Sequence, residues 1–205
     1  MAATVRKMVF WEVDAQKDFM LPGGKLYVPG AEKIIPNIRR LVEAAQEAGV
    51  FLVSSACAHA EDDPEFRSFP LHCIRGTEGA RVIAEGLTAD CVTIPNQASF
   101  ILPADLFTHK QVTIEKQELD VFSNPHANQI VKQLGAEAEF VVFGVVTEYC
   151  VHFAAKGLLD RGRKVLVVED AIETLKAEES HRALGELREM GARLITTDEA
   201  VGMLS

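Results

Sequence analysis

Three residues of the types that carry covalent and acid–base chemistry stand just beyond apolar, strand-like runs. Asp14 follows Met8 to Val13, Lys116 follows Val-Thr-Ile-Glu, and Cys150 follows Phe-Gly-Val-Val-Thr-Glu-Tyr. A thiol, an ammonium and a carboxylate brought together supply a nucleophile, a charge holder and an acid–base group. A cysteine in the first turn of a helix feels the partial positive charge of unpaired N–H groups. A neighbouring lysine lowers its pKa further, so a thiolate is expected near neutral pH. The carboxylate can accept the thiol proton and later deliver it to a leaving amine, which assigns acid and base work to Asp14. Singly, each residue has an ordinary structural use: an aspartate capping a turn, a lysine in solvent, a cysteine as inert packing. The chemistry depends on the three strands being neighbours.

The elements that must position these residues are legible as alternating runs. Unbroken apolar, β-branched segments recur at Met8 to Val13, Val50 to Ser54, Gln111 to Glu115, Phe140 to Val145, Lys164 to Val168 and, more weakly, Arg193 to Thr196. Runs of this kind suit strands covered on both faces. Between them, Ile34, Ile38, Leu41, Val42 and Ala45 fall at helical spacing, closed by Gly49. Further helices are predicted from about Pro125 to Leu134, Tyr149 to Leu159 and Ala177 to Met190. Strand and helix alternate, which predicts an α/β fold: a three-layer α/β/α sandwich around a six-stranded, mostly parallel sheet. In such sheets ligands bind beyond the carboxyl ends of the strands, where all three residues lie. Residues 56–103, with Cys57, Cys73, Cys91, His59 and His72, break the rhythm and read as an irregular, site-forming insertion in one domain spanning 1–205.

Composition narrows the function classes. The 205 residues are 48% hydrophobic, enough for a sizeable core, and 21 Lys and Arg against 30 Asp and Glu give a formal charge of −9. That charge argues against nucleic acid and anionic membrane surfaces as partners. No apolar run approaches the roughly 20 residues of a membrane span, and Met1 to Lys7 lacks the apolar region of a signal peptide, so a cytoplasmic location is expected. Four scattered cysteines are too few for a disulfide framework and are read as thiols.

Five segments in order carry a resemblance: Val-Asp-Ala-Gln-Lys-Asp-Phe at 13–19, Tyr-Val-Pro-Gly-Ala at 27–31, Phe-Pro-Leu-His-Cys-Ile-Arg-Gly-Thr-Glu-Gly-Ala at 69–80, Phe-Gly-Val-Val-Thr-Glu-Tyr-Cys-Val at 143–151, and Val-Glu-Asp-Ala at 168–171. The chain resembles the isochorismatase-like cysteine hydrolases, a Rossmann-like fold, and within them the nicotinamidase and pyrazinamidase type of amidase. The resemblance implies an Asp14, Lys116, Cys150 triad cleaving a small carboxamide to the acid and ammonia through a thioester. It also implies a non-proline cis peptide between Val145 and Val146, and an oxyanion hole from the backbone N–H groups of Val146 and Cys150. A homodimer or homotetramer is implied as well.

In the same family a divalent metal is held by an Asp-x-His pair and a later histidine. Here Ser-Ser-Ala-Cys-Ala-His puts Cys57 at the place of that aspartate, followed by His59; His72 matches the later ligand, and Glu65 lies near a further one. This thiolate and imidazole set suits zinc better than manganese. Phe19, Phe69 and Phe122 fall where the family places aromatic pocket walls, Phe69 standing where tryptophan is usual. Two rival readings stay open. One is a metal-free relative acting on a carbamoyl, ureido or vinyl-ether substrate, and the other is a non-catalytic binding or oligomeric protein with a reactive thiol.

Overall fold

The computed structural model describes residues 8–204; Met1 to Lys7, read above for signal-peptide character, lie outside the described residues. Seven strands, β1 (Met8–Val13), β2 (Phe51–Cys57), β3 (Cys91–Ile94), β4 (Gln111–Lys116), β5 (Glu139–Val145), β6 (Lys164–Glu173) and β7 (Arg193–Ile195), form one sheet in the order β3-β4-β2-β1-β5-β6-β7. Every pairing is parallel. The expected six strands become seven because the insertion contributes β3. Of its four residues at the sheet edge only Ile94 is buried, so the strand lacks the continuous buried run that betrays a central strand.

Helices α1 (Lys17–Met20), α2 (Ile35–Glu47) and α6 (Thr197–Gly202) cover one face; α3 (Ala127–Gln133), α4 (His152–Asp160) and α5 (Ala177–Glu189) cover the other. In α2, Pro36 lies in the first turn, where its missing N–H costs nothing, and Ile38, Leu41, Val42 and Ala45 point inward. Along β1 the pleat sends Val9, Trp11 and Val13 to the α3/α4 side and Phe10 to the α2 side. Thr196 and Glu199 close a reciprocal capping box on α6. Among the described residues no helix is long and apolar enough to cross a membrane.

The order runs outward from β1 in both directions, with β2 on one side and β5 on the other, so the crevice at the carboxyl end of β1 is a topological switch point. Beside it, Gly144 of β5 has φ +122°, and a Cβ there would lie 2.0 Å from the Val13 carbonyl oxygen. Only glycine permits this approach of β5 to the end of β1.

Candidate active site

Four contiguous strands deliver the site. Asp14 leaves β1 with φ +49°, a left-handed conformation that aspartate tolerates better than most residues, and its N–H donates to the Ser55 carbonyl at 3.0 Å. Cys57 and Lys116 end β2 and β4 in direct register. After β5 the Val145–Val146 peptide is cis, and the Val146 carbonyl accepts from the N–H groups of Tyr149 and Val151, winding Thr147–Val151 into a π-helical turn that carries Cys150 into α4.

Lys116 is the hub of the cluster. Its Nζ lies 2.9 Å from Asp14 Oδ2 and donates to Cys150 Sγ at 3.4 Å and to Cys57 Sγ at 3.1 Å. Cys57 in turn donates to Asp14 Oδ2 at 3.6 Å. All four side chains are buried. Burial opposes the ammonium, yet the charges of Asp14, Cys150 and Cys57 hold its pKa well above the usual lysine range. The Cys150 thiol is pushed well above the usual cysteine range, first by its hydrogen bond with Cys57, then by burial and the Asp14 charge, with Lys116 pulling the other way. The expected resting thiolate is therefore replaced by a thiol that gives up its proton as it attacks. The acceptor is at hand, since Asp14 Oδ1 is buried without a hydrogen-bond partner.

Cys57 also belongs to a second group. One ligand atom each of Cys57, His59 and His72 lie within 4.8 Å of one another, and the two imidazole rings are 4.8 Å apart at their centroids. Each ring is held through Nδ1, His59 by Asp63 at 3.0 Å and His72 by the Pro70 carbonyl at 2.7 Å. His59 Nε2 is buried and unpartnered. Imidazoles oriented through one nitrogen, with the other turned to a shared point beside a thiol, fit a divalent metal. Burial keeps His72 below the usual histidine range and hence neutral, the ligating form. Glu65 stands at the margin, its Oε1 3.9 Å from His72 Nε2.

Two residues of the first quoted segment brace this arrangement, although the sequence alone assigned them no role. Gln16 accepts from the Cys57 N–H at 2.7 Å and donates to the Cys57 carbonyl at 2.8 Å, clamping that residue from both sides. Asp18 accepts from the N–H of Cys73, next to His72, at 2.7 Å. Their signal was position alone: polar residues spaced two apart after a strand end.

Next to Cys150 lies a chamber of about 20 Å³, lined by Phe19, Leu26, Phe69, Leu119, Val146, Tyr149 and Leu175 among others. It holds roughly one water, so an aromatic ligand enters only if the walls shift toward the adjoining cleft of about 590 Å³, which shares Glu65, Phe69 and Leu119. Of the three phenylalanines named from the sequence, Phe19 and Phe69 line this chamber. Phe122 does not: it packs on Trp11 in the α3/α4 core, under the Arg161 guanidinium at 3.6 Å. Leu26, Leu119, Tyr149 and Leu175 are walls that no motif announced. A third cleft, of about 500 Å³ between Arg75, Arg81 and the outer strands, touches Cys57 but not Cys150 and holds none of the triad.

The chain is similar to known proteins over nearly its whole length. The nicotinamidase of Escherichia coli strain K12 is 25% identical over 207 residues, covering 90% of this chain and 92% of that protein. A zinc complex of the pyrazinamidase of Pyrococcus horikoshii superposes with a TM-score of 0.74 at 28% identity, over 93% of this chain and 99% of the other. The N-carbamoylsarcosine amidase of Thermoplasma acidophilum shares the fold with a TM-score of 0.74 at 24% identity, over 94% and 97% of the two chains. The family described as Isochorismatase domain matches residues 10–199. A match of that extent leaves little of the chain outside it, and the protein belongs to the isochorismatase-domain family.

Proposed function

We propose that the protein is a cysteine-dependent amidohydrolase that converts a small carboxamide to its acid and ammonia through a thioester on Cys150. The observation that carries this reading is Lys116 Nζ at 2.9 Å from the Asp14 carboxylate and 3.4 Å from the Cys150 sulfur, at the switch point of the sheet. Cys150 Sγ attacks the amide carbon while Asp14 takes the thiol proton. The N–H groups of Val146 and Cys150 receive the developing oxyanion. Asp14 then protonates the departing ammonia, accepts a proton from water, and the resulting hydroxide cleaves the thioester to the acid and free thiol. Lys116 keeps the carboxylate in place and offsets negative charge throughout.

The substrate class is a pyridine or pyrazine carboxamide. An apolar chamber with Phe19, Phe69 and Tyr149 in its walls favours a flat ring, and relatives named for nicotinamide and pyrazinamide point the same way. Cys57, His59 and His72 would hold a zinc ion, suited to their soft donor set. When bound, it supplies a Lewis-acidic docking point for a ring nitrogen.

Two contacts favour a second reading, a metal-free hydrolase of a carbamoyl, ureido or vinyl-ether substrate. The Cys57 sulfur is already engaged by Lys116 at 3.1 Å and Asp14 at 3.6 Å, which satisfies it without a metal. An ammonia-release screen over nicotinamide, pyrazinamide and small carbamoyl and ureido compounds, with metal analysis of wild type and Cys57→Ala, separates the two. Near-normal turnover of the accepted substrate by Cys150→Ala or Asp14→Asn would dismiss both.

A further inference from the structure

Glu12 interrupts the apolar strand Met-Val-Phe-Trp-Glu-Val and is fully buried. By the pleat it shares the α2 side with Phe10, and its strand neighbours are Ser54 on β2 and Phe143 on β5. Gly86 lies over the carboxyl, close enough that a Cβ there would sit 3.6 Å from Oε2. Burial pushes its pKa up to about 8, against the opposing hydrogen bonds of Ser54 and Ala15 and with help from the Asp14 charge. That value favours the neutral carboxylic acid at pH 7. A valine would fill this core position without desolvating a polar group, so the acid's presence calls for a task.

Its hydrogen bond with the turn that follows β1 supplies the task. Oε1 accepts from the Ala15 N–H at 2.6 Å, across the very residue, Asp14, that turns left-handed at the end of β1. The rest of this turn is tied to neighbouring elements: Asp14 N–H to Ser55, the Ala15 carbonyl to the Ile83 N–H at 2.8 Å, and Gln16 to Val82. Gln111 strengthens the same seam, donating to Ser54 Oγ and the Gly86 carbonyl at 2.8 Å each. We infer that Glu12 is a positioning residue for the base: by holding the Ala15 N–H, its carboxyl oxygen sets the turn that delivers Asp14 to Lys116. An acceptor in place of the Ala15 N–H partner is what matters, so the amide oxygen of glutamine can replace it.

The inference rests on the reading of Asp14 as the base, and two measurements keep their failures apart. In steady-state ammonia release, Glu12→Val is expected to lower kcat at least tenfold with KM within twofold, while remaining folded with an unfolding midpoint no lower than wild type. Glu12→Gln is expected to return kcat to within threefold. Glu12→Met, unbranched and without an acceptor, substitutes if the valine variant does not fold. In parallel, the alkylation rate of Cys150 by iodoacetamide, read by peptide mass and needing no amide substrate, is expected to fall in Glu12→Val and recover in Glu12→Gln. Wild-type kcat and alkylation in Glu12→Val, a loss in Glu12→Gln as large as in Glu12→Val, or a KM rise matching the kcat loss would overturn the inference. An inactive wild type with a slowed Cys150 alkylation in Glu12→Val would remove the proposed amidase activity but uphold the positioning role.

Discussion

Replacing Lys116 with methionine tests the hub of the cluster most severely. The Nζ–Oδ2 distance of 2.9 Å, with both side chains 1% exposed, makes this a buried ion pair. At an effective dielectric near 20, charges at this distance attract by about 6 kcal/mol, and breaking such a pair by removing one partner costs about 3–5 kcal/mol. Lys116→Met strands the buried Asp14 carboxylate and should therefore lose about 3–5 kcal/mol at pH 7. Adding Asp14→Asn removes the stranded charge and should recover stability to within about 1 kcal/mol of wild type. Turnover should stay at least about 100-fold down in both variants. Urea unfolding at pH 7, with ammonia release, measures all of this. A single-variant loss below about 1 kcal/mol at pH 7, no recovery in the double variant, or more than a tenth of wild-type kcat in Lys116→Met would refute the reasoning.

Three further outcomes are expected. Because Glu12 carries a proton in the fold up to about pH 8 and loses it near 4.5 in the unfolded chain, wild-type stability should decline across that window by up to about 1.4 kcal/mol per pH unit. Glu12→Gln should flatten this decline in unfolding curves taken at several pH values, and an unchanged slope would contradict it. A Cβ at Gly79 would lie 2.2–2.3 Å from the Asp18 carboxylate, so Gly79→Ala should destabilise by about 1–3 kcal/mol, whereas Gly185→Ala, at a half-buried position of α5 with nothing within 4 Å of the added Cβ, should stabilise by up to about 1 kcal/mol. Chemical denaturation of the two variants side by side checks the contrast. Cys57→Ser should weaken zinc binding at least about 100-fold in competition with a chromophoric chelator, since even losing an outer-shell partner costs about 10–100-fold; equal affinity would show that Cys57 is not a ligand.

Asp14, Lys116 and Cys150 were legible in the sequence because each stands where an apolar run stops, and a parallel sheet gathers such ends on one margin. Strand order is not written in local pattern, so the register that sets Cys57 against Lys116 was hidden. With it was hidden the fact that Cys57, a member of the candidate metal cluster, also bonds to Lys116 and Asp14 of the triad. The same blindness reversed the expectation for Cys150: a helix start and a lysine were visible, while its burial and its bond to Cys57 were not. β3 escaped because an edge strand of four residues needs no continuous apolar run. Phe122 was misplaced because a family position shared with aromatic pocket walls does not say which way the ring turns; the Trp11 ring and Arg161 decide it.

Intact-protein and peptide mass analysis of the enzyme quenched during turnover of its amide bears most directly on the thioester. The account predicts an acyl adduct confined to Cys150, labile to hydroxylamine, and absent from Cys150→Ala, which releases no ammonia. An adduct on Cys57, Cys73 or Cys91 instead, or sustained ammonia release by Cys150→Ala, would contradict it.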